Sequence, residues 1–255
     1  MIDSRAMPRW PLFALCAALG CAGLFGAVRL VPRGFHDNLL ANPGFEEGDT
    51  GWTYPLDSPY WSRFEVVESP VHSGRRAAHL RLRAGPEDRT NAVWVDGVMQ
   101  EPRPERFPDV VGGFYRVDTW EKGADTTSLY LQAVAIVWSD EADAVINGGT
   151  PSGSGIQNYQ MRFYLAGVSE PPFLLANAKF DFVTKEPPRI GRWTYFEIPL
   201  REQFQRQWGL VPEHYDRLRV LFEARWDNRP AGSQVAADVY YDDLFLGYVD
   251  GAPGS

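Results

Sequence analysis

Glu46, Glu47 and Asp49 crowd a bend opened by Asn42-Pro43-Gly44, and far downstream Asp242 and Asp243 stand side by side in a strand that is otherwise aromatic and aliphatic. Oxygen ligands in a bend suit a hard cation such as calcium. The first and last strands of a sandwich are commonly neighbours, so Glu46 and one of the two aspartates could share one ion. Alternation through residues 238–247 puts Asp242 on the face of Leu244 and Leu246, the expected core face, where a carboxylate needs a partner or an ion. Asp242 is therefore the preferred ligand of the pair. The plainer alternative has Glu46 capping a turn and both aspartates exposed.

A second chemistry is suggested by the tryptophans. Sugars present apolar C–H faces ringed by hydroxyls, so their sites pair an aromatic plane with carboxylate, amide or guanidinium groups. Trp94, Trp120, Trp138 and Trp226 are the candidate platforms, with Arg116, Asp118, Glu223 and Asn228 as polar partners. Trp120 shares strand parity with Arg116 and Asp118, which predicts an aromatic on a polar face. For each tryptophan, core packing competes with stacking. Trp52 and Trp193, each just after a glycine or its neighbour at a strand entry, read as structural.

The elements that must carry these residues are strands. Residues 38–52 read as a first strand and turn. Alternating or β-branched runs follow at 63–68, 77–83, 92–100, 114–120, 128–139, 159–165, 179–183, 191–199, 217–226 and 235–247, with turn residues between them. Residues 101–109 hold three prolines and cannot be a central strand. Residues 140–158 form a functional or mobile loop. Leu200 to Trp208 is the one helix of the domain, opened by Pro199 and closed by Gly209. About ten strands without βαβ alternation predict an all-β sandwich.

The segments Asn42-Pro-Gly-Phe-Glu-Glu-Gly48, Gly51-Trp52, His72-Ser-Gly-Arg-Arg-Ala-Ala-His-Leu80, Gly113-Phe-Tyr-Arg-Val117 and Tyr241-Asp-Asp-Leu-Phe-Leu246 together resemble the family 4, 9 and 22 carbohydrate-binding modules. The resemblance spans roughly residues 38–248. It implies a galactose-binding-like jelly roll, a structural calcium and a glycan site on the concave face or loops. The calcium ligands it implies are Glu46, the Gly44 carbonyl, carbonyls of residues 69–73, and Asp242 or Asp243.

Composition narrows the partners. With 25 Lys+Arg against 33 Asp+Glu and no basic run, the chain has no stripe to track nucleic-acid phosphates. Both cysteines, Cys16 and Cys21, precede the domain, which therefore has no disulfide. Trp10 to Val28 are free of charge and about long enough to cross a bilayer. The expected layout is a cytoplasmic segment 1–9, a membrane anchor 10–28, a linker 29–37, the sandwich 38–250 and a tail 251–255. A cleaved leader, giving a secreted protein, or lipidation at Cys21 are the alternatives.

Enzyme signatures are missing from the sequence. There is no nucleophile elbow, His-Glu-x-x-His, P-loop or dinucleotide fingerprint. His36, His72, His79 and His214 have no metal-ligand spacing. The resulting expectation is a membrane-anchored, extracytoplasmic, non-catalytic protein that binds a polysaccharide or glycoconjugate. An envelope scaffold for another protein and a jelly-roll glycoside hydrolase or lyase working through residues 140–143 are the alternatives.

Overall fold

The structure, a computed structural model, describes residues 35–123 and 127–249. Every described residue belongs to one compact unit, Arg33–Ser255. The anchor reading of residues 10–28, both cysteines, the segment 1–9 and the tail 251–255 lie outside the described residues. Among the described residues no helix is long and apolar enough to cross a membrane.

Strands β1 (Phe35–His36), β3 (Glu65–Val67), β4 (Ala77–Ala84), β6 (Val110–Lys122), β10 (Trp193–Ile198) and β12 (Val235–Val249) make one sheet, ordered β10-β6-β12-β4-β3 with β1 added to β12. Strands β2 (Trp61–Arg63), β5 (Trp94–Gln100), β7 (Ser128–Trp138), β8 (Asn158–Ala166), β9 (Ala178–Phe182) and β11 (Arg217–Asp227) make the other, ordered β2-β5-β11-β7-β8-β9. The chain changes sheet between β1 and β2, β2 and β3, β4 and β5, β5 and β6, β6 and β7, β9 and β10, β10 and β11, and β11 and β12. The two sheets make the all-β sandwich that the strand pattern predicts. Period-two alternation drives it. Leu129, Leu131 and Ala133 of β7, Val220, Phe222 and Trp226 of β11, Leu80 and Leu82 of β4, and Val239 and Tyr241 of β12 share one buried cluster between the sheets. Each large side chain so buried contributes about 1.5–3 kcal/mol.

Helix α2 (Leu200–Trp208) lies where the sequence predicts it and ends on Gly209 in the left-handed region, φ 77°. A short helix, α1 (Ala142–Ile146), stands inside the expected loop 140–158. Residues 38–52 are a run of turns, and the expected first strand there is absent. Phe45 donates its amide to Asn42 O, Gly48 to Phe45 O, and Trp52 to Asp49 O. The aromatic return holds: Phe45 is fully buried and stacks on Trp52 at 5.0 Å. The first and last strands are neighbours, because β1 pairs with β12.

Two irregularities in the β12–β6 pairing, the first with its extra residue on β6 and the second on β12, reset which way the side chains face. The β12–β6 register slips between Asp238 and Val239, and again between Asp242 and Phe245. An extra residue on one strand reverses side-chain parity beyond it.

Candidate functional site

Strand β11 alternates Leu218, Val220, Phe222, Ala224 and Trp226 inward with Arg217, Arg219, Leu221, Glu223, Arg225 and Asp227 outward. The outward row meets equivalent residues across the sheet. Gly97, Glu223, Gln132 and Tyr164 stand opposite one another on β5, β11, β7 and β8, and Phe182 continues the row on β9. Gly97 is required because a Cβ there would lie 2.4 Å from the Tyr54 ring. Tyr54 uses that space to donate its hydroxyl to Glu223 Oε1 at 2.6 Å, and Gln132 Nε2 donates to Glu223 Oε2. Burial, followed by the Glu223 charge, pushes the Tyr54 phenol far above its ordinary range, so it stays a donor. One row further along, Asp227 accepts from the Tyr130 hydroxyl at 2.5 Å and from Arg225 Nε at 2.8 Å.

Both oxygens of Glu223 and of Asp227 are therefore hydrogen-bonded. Three nearby groups are not. Gln132 Oε1, Arg162 Nη1 and the Tyr164 hydroxyl are buried with no hydrogen-bond partner among the described residues, although each such group costs about 1–3 kcal/mol to leave unpaired. Burial pushes Arg162 below the ordinary guanidinium range. Phe173, in the segment 169–177, covers the Arg162 end of this group: its ring lies 5.3 Å from the Arg162 guanidinium and 5.1 Å from that of Arg225. Asn228 Nδ2 ties the cover down through Pro172 O, while Leu174, at its tip, is 81% exposed.

Of the residues singled out from the sequence, Glu223 belongs to this face, and Asn228 holds its cover. Trp226 is fully buried in the core and presents no face to a sugar. Trp94 stacks on Tyr60 at 6.0 Å, with the Arg229 guanidinium 4.5 Å from its ring. Trp138 is on the outer face at the far end of β7, with Arg217 3.7 Å from its ring. Arg116 and Asp118 pair with each other at 2.6 Å on the opposite sheet. Trp120 does not share their face. Thr119 pairs with Asp238 and Val117 with Val239, leaving Asp118 as the extra residue, so Trp120 turns inward opposite Ala237 and packs against the core. Trp120→Ala is accordingly expected to lose about 3 kcal/mol of stability, read by chemical denaturation. An unchanged unfolding midpoint would return it to the surface.

The carboxylates come together at the other sheet. Asp242 follows the core residue Tyr241, so before the slip it points away from the core, under the turn 69–73, and does not share the face of Leu244. There it is fully buried, accepting the amides of His72 at 2.8 Å, Ser73 at 3.2 Å and Asp243 at 2.8 Å. Asp243, with φ 47°, accepts from Ser73 Oγ and meets His72 Nδ1 at 2.6 Å. A Cβ on Gly44 would sit 3.5 Å from an oxygen of each aspartate. Glu46 holds the next turn, with Oε1 accepting the amides of Arg75 and Arg76. Among the described residues no three His, Cys, Asp or Glu side chains surround one point. The carboxylate oxygens of Asp242 and Asp243 are donors that suit a hard cation, already met by three amides and by His72 Nδ1, with burial and then the neighbouring Asp243 charge among the causes that raise Asp242 to about 6. A cation would relieve both.

No family model matches the chain, and no curated protein matches it. Among solved structures it is similar to a family 61 carbohydrate-binding module in complex with β-1,4-galactotriose, at 16% identity over 82% of this chain and 97% of that one, TM-score 0.41. It is also similar to a family 28 module specific for non-crystalline cellulose, at 13% identity over 84% and 97%, TM-score 0.41. The tandem family 22 modules of Paenibacillus barcinonensis Xyn10C match at 13% identity over 86% and 48%, TM-score 0.36. The resemblance read from the sequence thus meets structural neighbours of the same kind, none of which decides a ligand.

Proposed function

We propose that this protein binds carbohydrate on the outer face of the second sheet, beneath residues 169–177. The observation that carries the reading is the trio of buried groups that have no hydrogen-bond partner among the described residues, beside carboxylates whose oxygens are hydrogen-bonded. Gln132 Oε1 accepts, Arg162 Nη1 donates and the Tyr164 hydroxyl does either, which is the set a sugar hydroxyl satisfies. Phe180 and Phe182 supply apolar rings at the same place. Access requires residues 169–177 to lift Phe173 away, and the free energy of lifting subtracts from affinity.

The test is retention of the full chain on a glycan array and on insoluble polysaccharides. Glu223→Gln and Gln132→Ala should each weaken retention at least about ten-fold, about 1.4 kcal/mol. Phe173→Ala should strengthen it. Retention indifferent to all three changes would refute the site.

Two further parts of the reading concern what surrounds it. We infer a structural calcium held by Asp242, Asp243 and the Gly44 carbonyl, with Glu46 bracing the adjoining turn. The supporting observation is two adjacent carboxylates, one of them fully buried, beside the Gly44 turn. We also infer that residues 10–28 anchor the domain outside the cytoplasm, supported by their uncharged apolar length. The full chain should stay with membranes through an alkaline carbonate wash, and deletion of residues 1–32 should release it. Release of the full chain by the wash would exclude a spanning anchor.

A further inference from the structure

The loop between β7 and β8 is gathered onto one carboxylate. Asp143, on α1, accepts the amides of Ser152 at 2.8 Å and Gly153 at 2.9 Å through Oδ2, and the hydroxyls of Ser152 and Ser154, both at 2.6 Å, through Oδ1. Those two hydroxyls, ahead of the two amides, hold its carboxyl down at about 2, so it is ionised at neutral pH. The segment 140–158, expected to be a functional or mobile loop, is thus tied at its middle. One more donor completes the cluster. Asn147, which closes α1 at φ −99°, ψ 22°, turns its side-chain amide back, and Nδ2 reaches Asp143 O at 2.7 Å and Asp143 Oδ1 at 2.9 Å.

Asn147 is followed by Gly148, the only Asn-Gly pair in the chain, and that pair can react with itself. The peptide nitrogen after an asparagine attacks the asparagine Cγ: the N–Cγ bond forms, the Cγ–Nδ2 bond breaks, and ammonia leaves with the peptide proton. The resulting five-membered imide is opened by water at either carbonyl, giving aspartate or isoaspartate. No electrons are gained or lost, and water is the one co-reactant. A side chain on the second residue hinders the attack. Gly148 has none, and even a Cβ added there would meet nothing within 4 Å. Its amide is held only by a long bond to Val145 O, 3.4 Å, and residues 147–150 are exposed to water. The plain reading of Asn147 is a helix C-cap, where asparagine and glycine are common. That role uses the backbone of Asn147, whereas the reaction consumes the side-chain amide that joins it to Asp143.

We propose that Asn147 is a self-modifying site, converted by attack of Gly148 N and then by water to aspartate and isoaspartate, and that the new carboxylate releases residues 150–156 from Asp143. Asp143 has two parts in this. Before the reaction it is a guard, because the amide must leave both acceptors of Asp143 before Cγ can meet Gly148 N. After the reaction it is the target. A donor 2.9 Å from Asp143 Oδ1 has become an anion, and two carboxylates crowded at one place repel. Oδ1 is also the acceptor for the Ser152 and Ser154 hydroxyls, so displacing the Asp143 side chain frees both serines and the two amides on Oδ2. The conversion is irreversible without a further enzyme, which makes the loop's order a record of the protein's age.

The experiment ages the full chain in neutral buffer and follows each asparagine by peptide mapping and mass spectrometry, with separation of aspartyl from isoaspartyl peptides. Asn91 and Asn228, exposed and followed by alanine and arginine, are the internal references. Asn147 should convert well ahead of both and give both products. Asp143→Ala should speed its conversion about ten-fold, the worth of a hydrogen bond to a charged group, and Asn147→Gln, which would have to close a larger ring, should stop it. Hydrogen exchange then reads the consequence. In Asn147→Asp the amides of Ser152 and Gly153 should lose their protection while those of β7 and β8 keep theirs, and Asn147→Gln should leave all of them protected. Conversion at Asn147 no faster than at Asn91 and Asn228 overturns the site. An unchanged rate in Asp143→Ala overturns the guard, and wild-type protection of Ser152 and Gly153 in Asn147→Asp overturns the release.

Discussion

Asp242→Ala is expected to lower the melting temperature by about 10 °C, from a loss of about 3 kcal/mol at 2–4 °C per kcal/mol for a domain of this size. Three amides, those of His72, Ser73 and Asp243, converge on this one buried carboxylate, and alanine leaves all three without an acceptor. The damage extends beyond the three bonds. His72 stacks on Phe114 at 3.6 Å, and Trp193 donates its indole N–H to Val71 O, so the turn 69–73 that Asp242 holds is also what covers this part of the first sheet. Leu244, two residues on, donates its amide to Pro43 O, joining the opening turns to the last strand. If calcium occupies the junction, a chelator should lower the melting temperature of the wild-type chain and leave Asp242→Ala unmoved. Wild-type melting indifferent to chelator removes the metal while leaving the amide clamp intact. Wild-type-like melting of Asp242→Ala removes both.

Much of the framework was legible because alternation is a strong signal where one face is buried. Residues 77–83, 128–139 and 217–226 read as strands and are strands within a residue or two, and the helix opened by Pro199 and closed by Gly209 falls where its caps put it. Failures of parity have a common cause. Trp120 and Asp242 each lie beside a register slip in the pairing of β6 with β12, and a slip is a property of two strands that one strand's sequence does not contain. Trp120 was assigned outward and points in; Asp242 was assigned to the core face and is buried from the other side.

The covered patch was missed for a different reason. Residues 128–139 read as one apolar run, so Gln132, the polar break within it, drew no notice, and Arg162 and Tyr164 passed as ordinary strand residues. The signal was present in Glu223-Ala224-Arg225-Trp226-Asp227, where charges alternate with apolar residues in a central strand. Only the pairing of β11 with β7 and of β7 with β8 shows that Glu223, Gln132 and Tyr164 form one row. Phe173 could not be found from its neighbours in sequence, since its partners are Arg162 and Arg225.

Stability should also fall as pH rises through neutrality, and Asp96 should be the cause. This carboxyl is 3% exposed. It sits on β5, accepts the amide of Arg81 on β4 at 2.7 Å, and so fastens the two sheets where they approach. Burial raises it to about 7, against the pull of bonds from the Arg81 and Gly97 amides and the Ser62 hydroxyl. A folded-state value above the unfolded 3.8 means that the native state holds the proton more tightly. The resulting stabilisation is complete below about pH 4 and is lost as pH rises through about 7, a change of up to about 4 kcal/mol. Asp96→Asn keeps an oxygen for the Arg81 amide and needs no proton. Its melting temperature should therefore gain on that of the wild type as pH rises from about 4 to about 8, by about 10 °C at the upper end. Because every other titrating group is common to the two proteins, their difference isolates this carboxyl. A difference that stays constant across the range would mean that Asp96 is ionised in the folded state, and that Oδ1, which has no partner among the described residues, is compensated by a bound cation or water.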